Sequence, residues 1–264
     1  AAQDVGRAVN PRLLEGQINP SSGNLHPTEA HLILPPRGDR PAGRYHYNPL
    51  LHALEPLAEV PGRLWKKIEA HLGAPAFLLG LSSIFWRESW KYGERAFRYC
   101  QHDAGHALAA AALSAALFGW KVTPLYSLSD RQIEQTLGFD QIPWHPEEKE
   151  HPDLLCAVHP ADNAVASTGL PEEVIEAFAA LPMACKPNRL SARQARWPAI
   201  AEVARSTRKP ATAHRLPRLK EADFGADPGA LLSAAETIRR RRSAIDFDPE
   251  FVLSRRHFLA LLDK

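Results

Sequence analysis

Apolar residues recur at helical spacing after Pro61: Leu64, Trp65, Ile68 and Leu72 form one stripe, and proline is well placed in a helix's first turn. The short apolar run from Ala76 to Leu81 reads instead as a buried strand. From about Glu94 to Phe118 the alanine and leucine content favours helix. Because that segment is apolar nearly all round from Ala107 onward, the pattern predicts a buried central helix closed by Gly119. Glu29 to Leu34 and Tyr45-His46-Tyr47 read as strands, the second ended by the turn Asn48-Pro49. Lys121 to Tyr126 and Asp153 to Val158 are further strands, with a helix from Asp130 to Leu137 capped by Ser129 between them. Asp4 to Gly16, interrupted by Pro11, reads as a short helix, and Pro171 to Leu181 as another. Long helices among strands that look partly antiparallel predict an α+β layer rather than a regular doubly wound sheet.

The texture changes after His159. Pro182 to Asp227 is rich in Pro, Arg and Lys, which suits an extended connector with a short helix around Trp197 to Ala204. Ordered patterning resumes near Pro228, with a helix from Ala230 to Arg242 and another starting at Ser254. The expected division is therefore 1–185, a connector over 186–227, and the start of a second unit over 228–264.

Composition narrows the function classes. Thirty-two Lys and Arg against 30 Asp and Glu leave a formal charge of +2, which gives no support to nucleic-acid binding. The three scattered cysteines make neither a disulfide framework nor a CxxC metal pattern. No signal peptide is visible, and the longest uncharged apolar run, Ala107 to Trp120, falls short of the roughly 20 residues of a spanning helix. A soluble, cytoplasmic protein with no membrane partner is expected, and, since the only methionine is Met183, a segment of a longer chain.

Four places could carry chemistry. Asn19-Pro20-Ser21-Ser22-Gly23-Asn24 sets hydroxyls, an amide and a glycine in one loop, able to meet the edge of a polar ring or an anion; it also reads as a plain turn before a strand. Arg239 to Arg242, followed by Ser243, suits a phosphate or a solvated last helical turn. His102-Asp103-Ala104-Gly105-His106 superficially matches a zinc-hydrolase helix, but Asp is a carbon short of the usual base, Gly105 is a poor mid-helix residue and no third ligand follows; capping, packing or hydrogen-bonded histidines are the alternative, and no metal is expected. Lys91-Tyr92 could shuttle a proton, or could be a surface pair before a helix.

Taken in order, these segments resemble the FMN-dependent nitroreductase superfamily, in the branch related to peptide azoline dehydrogenases, including its tandem two-half members. The resemblance rests on the Asn19 to Glu29 loop with its His26-Pro27-Thr28-Glu29 ending, on Tyr45 to Pro49 with Leu54 to Leu57, on Lys91 to Tyr99 leading into Asp103 to His106, and on Arg241 to Asp248. It implies a nitroreductase-like α+β fold, with a mixed, largely antiparallel sheet, a long central helix, and halves paired as a homodimer or an intrachain pseudo-dimer. It implies FMN held by Pro20, Ser21, Ser22, Gly23, Asn24 and His26 at the ring and by Arg241 and Ser243 at the phosphate, with Lys91 and Tyr92 as the proton-transfer pair. NAD(P)H and a small nitro, quinone or heterocyclic substrate would then be the partners. Two departures are visible: no Arg-rich motif precedes Asn19, and Ile245 stands where many relatives carry Lys or Arg. They support the alternative of a flavin-binding or degenerate scaffold half without redox turnover.

Overall fold

The computed structural model describes residues 19–163, 165, 168–189, 195–213, 232–242 and 246–262. The chain divides into two units, Ala1–Arg215 and Leu216–Lys264. The helix expected at Asp4 to Gly16 lies outside the described residues, as do Ser243 and Ile245.

The first unit is built on six strands: β1 Thr28–Leu34, β2 Gly43–Asn48, β3 Ala53–Glu59, β4 Phe77–Ser83, β5 Trp120–Pro124 and β6 His151–Pro160. They lie in the order β3-β2-β1-β4-β6-β5, and every neighbouring pair is antiparallel, so the sheet has no parallel component among the described residues. Strand β4 is apolar without alternation because both of its faces are covered. Leu78 joins a core with Ile33, Leu155 and Ala157, while its neighbours Leu79 and Leu81 point the other way, with Cys156 and Val158.

The first of these faces is covered by helices α1 Gly62–Leu72, α4 Asp130–Leu137 and α5 Glu172–Ala179. Between α1 and α4 in the chain come α2 Phe85–Tyr92 and the long α3 Ala96–Leu117. The predicted stripe of α1 is buried in full, and removing one such leucine side chain costs about 2–5 kcal/mol. Helix α4 begins as expected: Ser129 accepts from the Gln132 N–H, and the Gln132 side chain accepts in turn from the Ser129 N–H. It ends at Gly138, φ +80°, where a Cβ would stand 2.7 Å from the fully buried Arg44 guanidinium. Only glycine suits that backbone and that approach.

Helix α3 lies across the opposite sheet face and corrects one expectation. Ala107, Leu108, Ala111 and Ala115 pack on the sheet, but Leu113, Leu117 and Phe118 are 62%, 53% and 81% exposed. A helix laid on a sheet covers one stripe of itself, and among the described residues nothing closes over Leu113, Leu117 and Phe118. Helix α2 was not evident in the sequence; it joins β4 to α3 through a 3-10 turn at Gly93–Arg95.

Residues 195–213 belong to this unit and pack on its other elements. Helix α6, Pro198–Ser206, buries Ile200 beside Phe85, Ala96 and Cys100. Beyond it, the Lys209 N–H donates to Asp130 at 2.9 Å and the Thr212 N–H to the Ser127 carbonyl at 2.9 Å. The second unit carries α7 Ala234–Arg240, capped by Ser233 and Glu236, and α8 Arg255–Leu262. Every side chain described there is exposed. Among the described residues no helix is long and apolar enough to cross a membrane.

Candidate functional site

The polar loop before β1 is held in shape from within and from below. Ser22–Asn24 makes one 3-10 turn, with Gly23 and Asn24 both at φ +59°, a conformation that glycine and asparagine tolerate best. His26 also has positive φ, and three bonds hold it there: its N–H donates to Ser21 Oγ at 2.9 Å, its ring meets Asn24 Oδ1 at 2.8 Å, and its carbonyl accepts from Arg87 Nη1 at 3.0 Å. Burial lowers the His26 pKa, against the opposing pull of the Asp103 charge.

The anchor beneath the loop is Asp103, buried on α3. Ser21 Oγ donates to its Oδ2 at 2.6 Å, and the Ser22 N–H and Oγ both donate to Oδ1 at 2.9 Å. The hydroxyls of Ser21 and Ser22 are thus engaged with the helix, and Pro20 is exposed at the start of the loop. His102 and His106 are exposed on either side of Asp103. Among the described residues no group of three or more His, Cys, Asp and Glu side chains is arranged to hold a metal.

Lys91 and Tyr92 reach the same loop from the last turn of α2. Lys91 Nζ stands 3.5 Å from the Gly23 carbonyl, and the Tyr92 ring packs edge-on against Tyr99 with centroids 4.6 Å apart. A Cβ on Gly23 would stand 2.4 Å from Tyr92 Oη and 2.7 Å from Lys91 Nζ, so the glycine admits this pair to the loop. The structure therefore brings Ser21, Ser22, Gly23, Asn24, His26, Lys91 and Tyr92 together. Arg241 belongs to the second unit, where it is exposed at the end of α7. Ser243 lies outside the described residues.

Several supporting residues had no role assigned from the sequence, although Glu29, His46 and Glu55 lie in segments on which the resemblance rests. Arg87, which holds the His26 carbonyl, pairs with Glu29 Oε1 at 2.5 Å. Glu29 Oε2 meets His46 Nε2 at 2.8 Å, and His46 Nδ1 meets Glu55 Oε2 at 2.8 Å. An imidazole with a carboxylate on each nitrogen is best served by two protons. The bond to Glu29, opposed by burial and reinforced by Glu55, raises His46 to about 9. Burial pushes Glu29 upward, but the His46 bond and the Arg87 charge outweigh it, so its pKa is lowered. Glu88, one turn before Lys91, is fully buried, and neither carboxyl oxygen has a hydrogen-bond partner among the described residues. Burial, then the Asp103 charge, raises it to about 7, with Lys91 pulling the other way. The sequence signal for Glu29 and Arg87 was weak, because their partners sit on other strands and helices.

The sequence model of the Nitroreductase family matches residues 8–151. The microcin B17-processing protein McbC of Escherichia coli is 31% identical over 131 residues, which cover 46% of this chain and 48% of that protein. The chain thus spans about half the length of that curated relative. Among solved structures, a protein assigned as a nitroreductase from Anabaena variabilis aligns over 78% of this chain and 40% of its own, at 18% identity and a TM-score of 0.52, and so shares the fold. The Escherichia coli microcin synthetase McbBCD complex with truncated pro-MccB17 aligns over 58% of this chain and 59% of its own, at 26% identity and a TM-score of 0.46.

Proposed function

The chain belongs to the nitroreductase family, a family of oxidoreductases, and we propose that it moves hydride between NAD(P)H, FMN and an unidentified small nitro, quinone or heterocyclic substrate. One observation carries the reading: a loop fixed from below by Asp103 presents its backbone beside Lys91 and Tyr92. FMN bound at this loop would supply a redox ring able to exchange hydride with the nicotinamide and with the substrate.

The donor set at the loop fits such a ring. An ammonium beside such a ring would stabilise negative charge developing on it. Lys91 is assigned that place. Tyr92, held by Tyr99 and by its contact with Gly23, is assigned the proton at Oη that is exchanged with the substrate. Ser21 and Ser22 act through Asp103, keeping the Gly23–Asn24 backbone in the left-handed conformation that the ring edge would meet. Arg241 and Ser243 are the candidates for the phosphate. The exposed Leu113, Leu117 and Phe118 stripe of α3 supports pairing of halves, in a homodimer or within one chain.

The test is an absorption spectrum of the purified protein from about 300 to 550 nm, repeated with NADPH under anaerobic conditions. A flavin band near 450 nm that bleaches is the expected result. A band that persists would favour a flavin-binding scaffold without turnover, and no band after FMN is added to a chain extended at both ends would sink the reading.

A further inference from the structure

A cavity of about 610 Å³ opens beside α2 and α3, and no residue of the Asn19 to His26 loop lines it. The two helices serve the cavity and the loop with different faces. Trp86 and Ser89 of α2 and Phe97 and Gln101 of α3 line the cavity, whereas Lys91, Tyr92 and Asp103 meet the loop. Trp197, which caps α6, and Ile200 and Ala204 within that helix line the cavity too. Trp197 is seated where a Cβ on Gly93 would come within 3.1 Å of its ring. The volume lies in the range of small-molecule sites.

Its lining is divided by chemistry. Trp86, Phe97 and Trp197 give aromatic surfaces, and Phe85 is stacked on His151 with centroids 4.4 Å apart. Most charged residues of the lining are already matched. Glu134 takes Lys149 at 2.9 Å and Arg208 at 2.5 Å, Glu147 takes Arg196 at 3.2 Å, and Lys209 Nζ donates to the Leu128 carbonyl at 2.7 Å. Arg205 stands exposed among the lining residues.

Two acids of the lining have no ion pair: Asp130 accepts from the Lys209 N–H at 2.9 Å and feels the charges of Arg208 and Lys209, whereas Asp153 has no cation acting on it among the described residues. The two oxygens of Asp153 accept only from neutral groups, Ser83 Oγ at 2.6 Å and Gln101 Nε2 at 3.3 Å. Burial, resisted by those two bonds, pushes its carboxyl up to about 7. Burial holds His151 down at about 4, so the ring beside it is neutral and does not compete for the acid. An unmatched carboxyl among aromatic faces is an arrangement that a cationic ring satisfies twice: through the ion pair and through its contact with the π surfaces.

We propose that this cavity is a second binding site, separate from the loop, for a small aromatic cation: a planar ring bearing a protonated amine or amidine, its charge on Asp153 and its ring among Trp86, Phe97 and Trp197. Because Gln101 and Asp103 are neighbours on α3, an occupant would also touch the helix that anchors the loop.

Isothermal titration of the full chain with benzamidine, its neutral amide analogue benzamide and the anion benzoate tests this directly. Saturable binding of one benzamidine per chain is expected, with the other two weaker by about tenfold or more. The Asp153→Asn variant keeps the side-chain size and should lose benzamidine affinity by a similar factor while leaving near-ultraviolet circular dichroism unchanged. Equal binding of all three probes would overturn the proposal, as would an unaffected Asp153→Asn variant or the absence of saturable heat. Benzoate binding best would assign the cavity to an anion through Arg205 and overturn it too. Repeating the titration with FMN separates the two sites: unchanged benzamidine affinity is expected, and displacement by FMN would overturn the claim of a separate site. The comparison among the three probes reads out whether or not FMN binds, so it stands or falls independently of the flavin reading.

Discussion

Ser21 and Asp103, 82 positions apart in the chain, are joined by a hydrogen bond of 2.6 Å. The same carboxylate takes both the N–H and the hydroxyl of Ser22. One buried acid on α3 thus sets the conformation of the loop assigned to the cofactor. Asp103→Asn replaces one acceptor oxygen with a donor, and a charged hydrogen bond lost in such a place costs about 1.5–3 kcal/mol. The variant should stay folded, become cleavable within residues 19–26 in limited proteolysis, and bind FMN about tenfold or more weakly. Unchanged FMN affinity together with unchanged proteolysis would show that the loop does not depend on Asp103.

Gly23→Ala probes the contact from the other side. The residue has φ +59°, and the added Cβ would stand 2.4 Å from Tyr92 Oη. Left-handed backbone costs a non-glycine residue about 1–2 kcal/mol before any collision. Tyr92 would be pushed off the loop, so turnover should fall further than flavin affinity. Equal losses in both would mean that the glycine serves the loop alone.

Lys91→Met and Tyr92→Phe remove the ammonium and the phenolic hydroxyl while keeping most of each side chain's volume. Flavin should remain bound in both, and turnover should fall by about 10²-fold or more with each: Tyr92→Phe loses the proton at Oη, and Lys91→Met loses the charge beside the ring. Steady-state rates measured across pH, with bound flavin quantified in the same samples, check this. Turnover at the wild-type level in both variants would remove the pair from the mechanism.

Local features were the legible ones. The α1 stripe and the Ser129 cap depend on neighbours three and four residues away, so they could be read directly. Helix α2 was hidden because it buries Glu88 and Ser89 beside Phe85, and a charged residue at an inward position spoils the apolar period. The exposed side of α3 was misjudged for the opposite reason: an apolar sequence states what a helix can bury, not whether anything lies over it. The role of Asp103 was likewise out of reach, since its partners come from a loop that only the fold brings near. The Lys91–Tyr92 pair and the Asn19 to Asn24 loop could each be picked out as polar clusters, but their contact is a property of the fold.

His46 should give stability a signature at the alkaline end. Its folded pKa is about 9 against an ordinary 6.5, owing first to Glu29 and then, after the opposing effect of burial, to Glu55. A raised pKa means that the native state holds the proton more tightly, so the stabilisation is complete below 6.5 and is lost as pH climbs through 9. The pKa values of Glu29 and Glu55 are lowered, so their share disappears instead as pH falls through the carboxylate range. The melting-temperature gap between wild type and His46→Gln should therefore be widest near pH 6 and narrow steadily toward about pH 10. A gap that does not vary with pH would show that His46 is neutral in the folded protein.

Glu88 should produce a gain on substitution. It is fully buried with neither oxygen bonded among the described residues, and burial followed by the Asp103 charge moves its pKa from 4.5 to about 7. The folded chain therefore keeps a proton that the unfolded chain releases above 4.5, and the cost of holding that proton, or of ionising the buried acid, grows until pH passes about 7. Glu88→Gln has the same shape as the neutral acid and never ionises. Both proteins should melt together near pH 4, and the variant should be the more stable by about 1–3 kcal/mol at pH 8. Asp153 is shifted in the same direction over the same range, so the wild-type pH profile alone would mix the two acids. The difference between wild type and Glu88→Gln isolates Glu88, because Asp153 is common to both. A variant less stable than wild type at pH 8 would reveal an ionised Glu88 with a favourable partner, and Lys91, one turn along α2, is the cation placed to supply it.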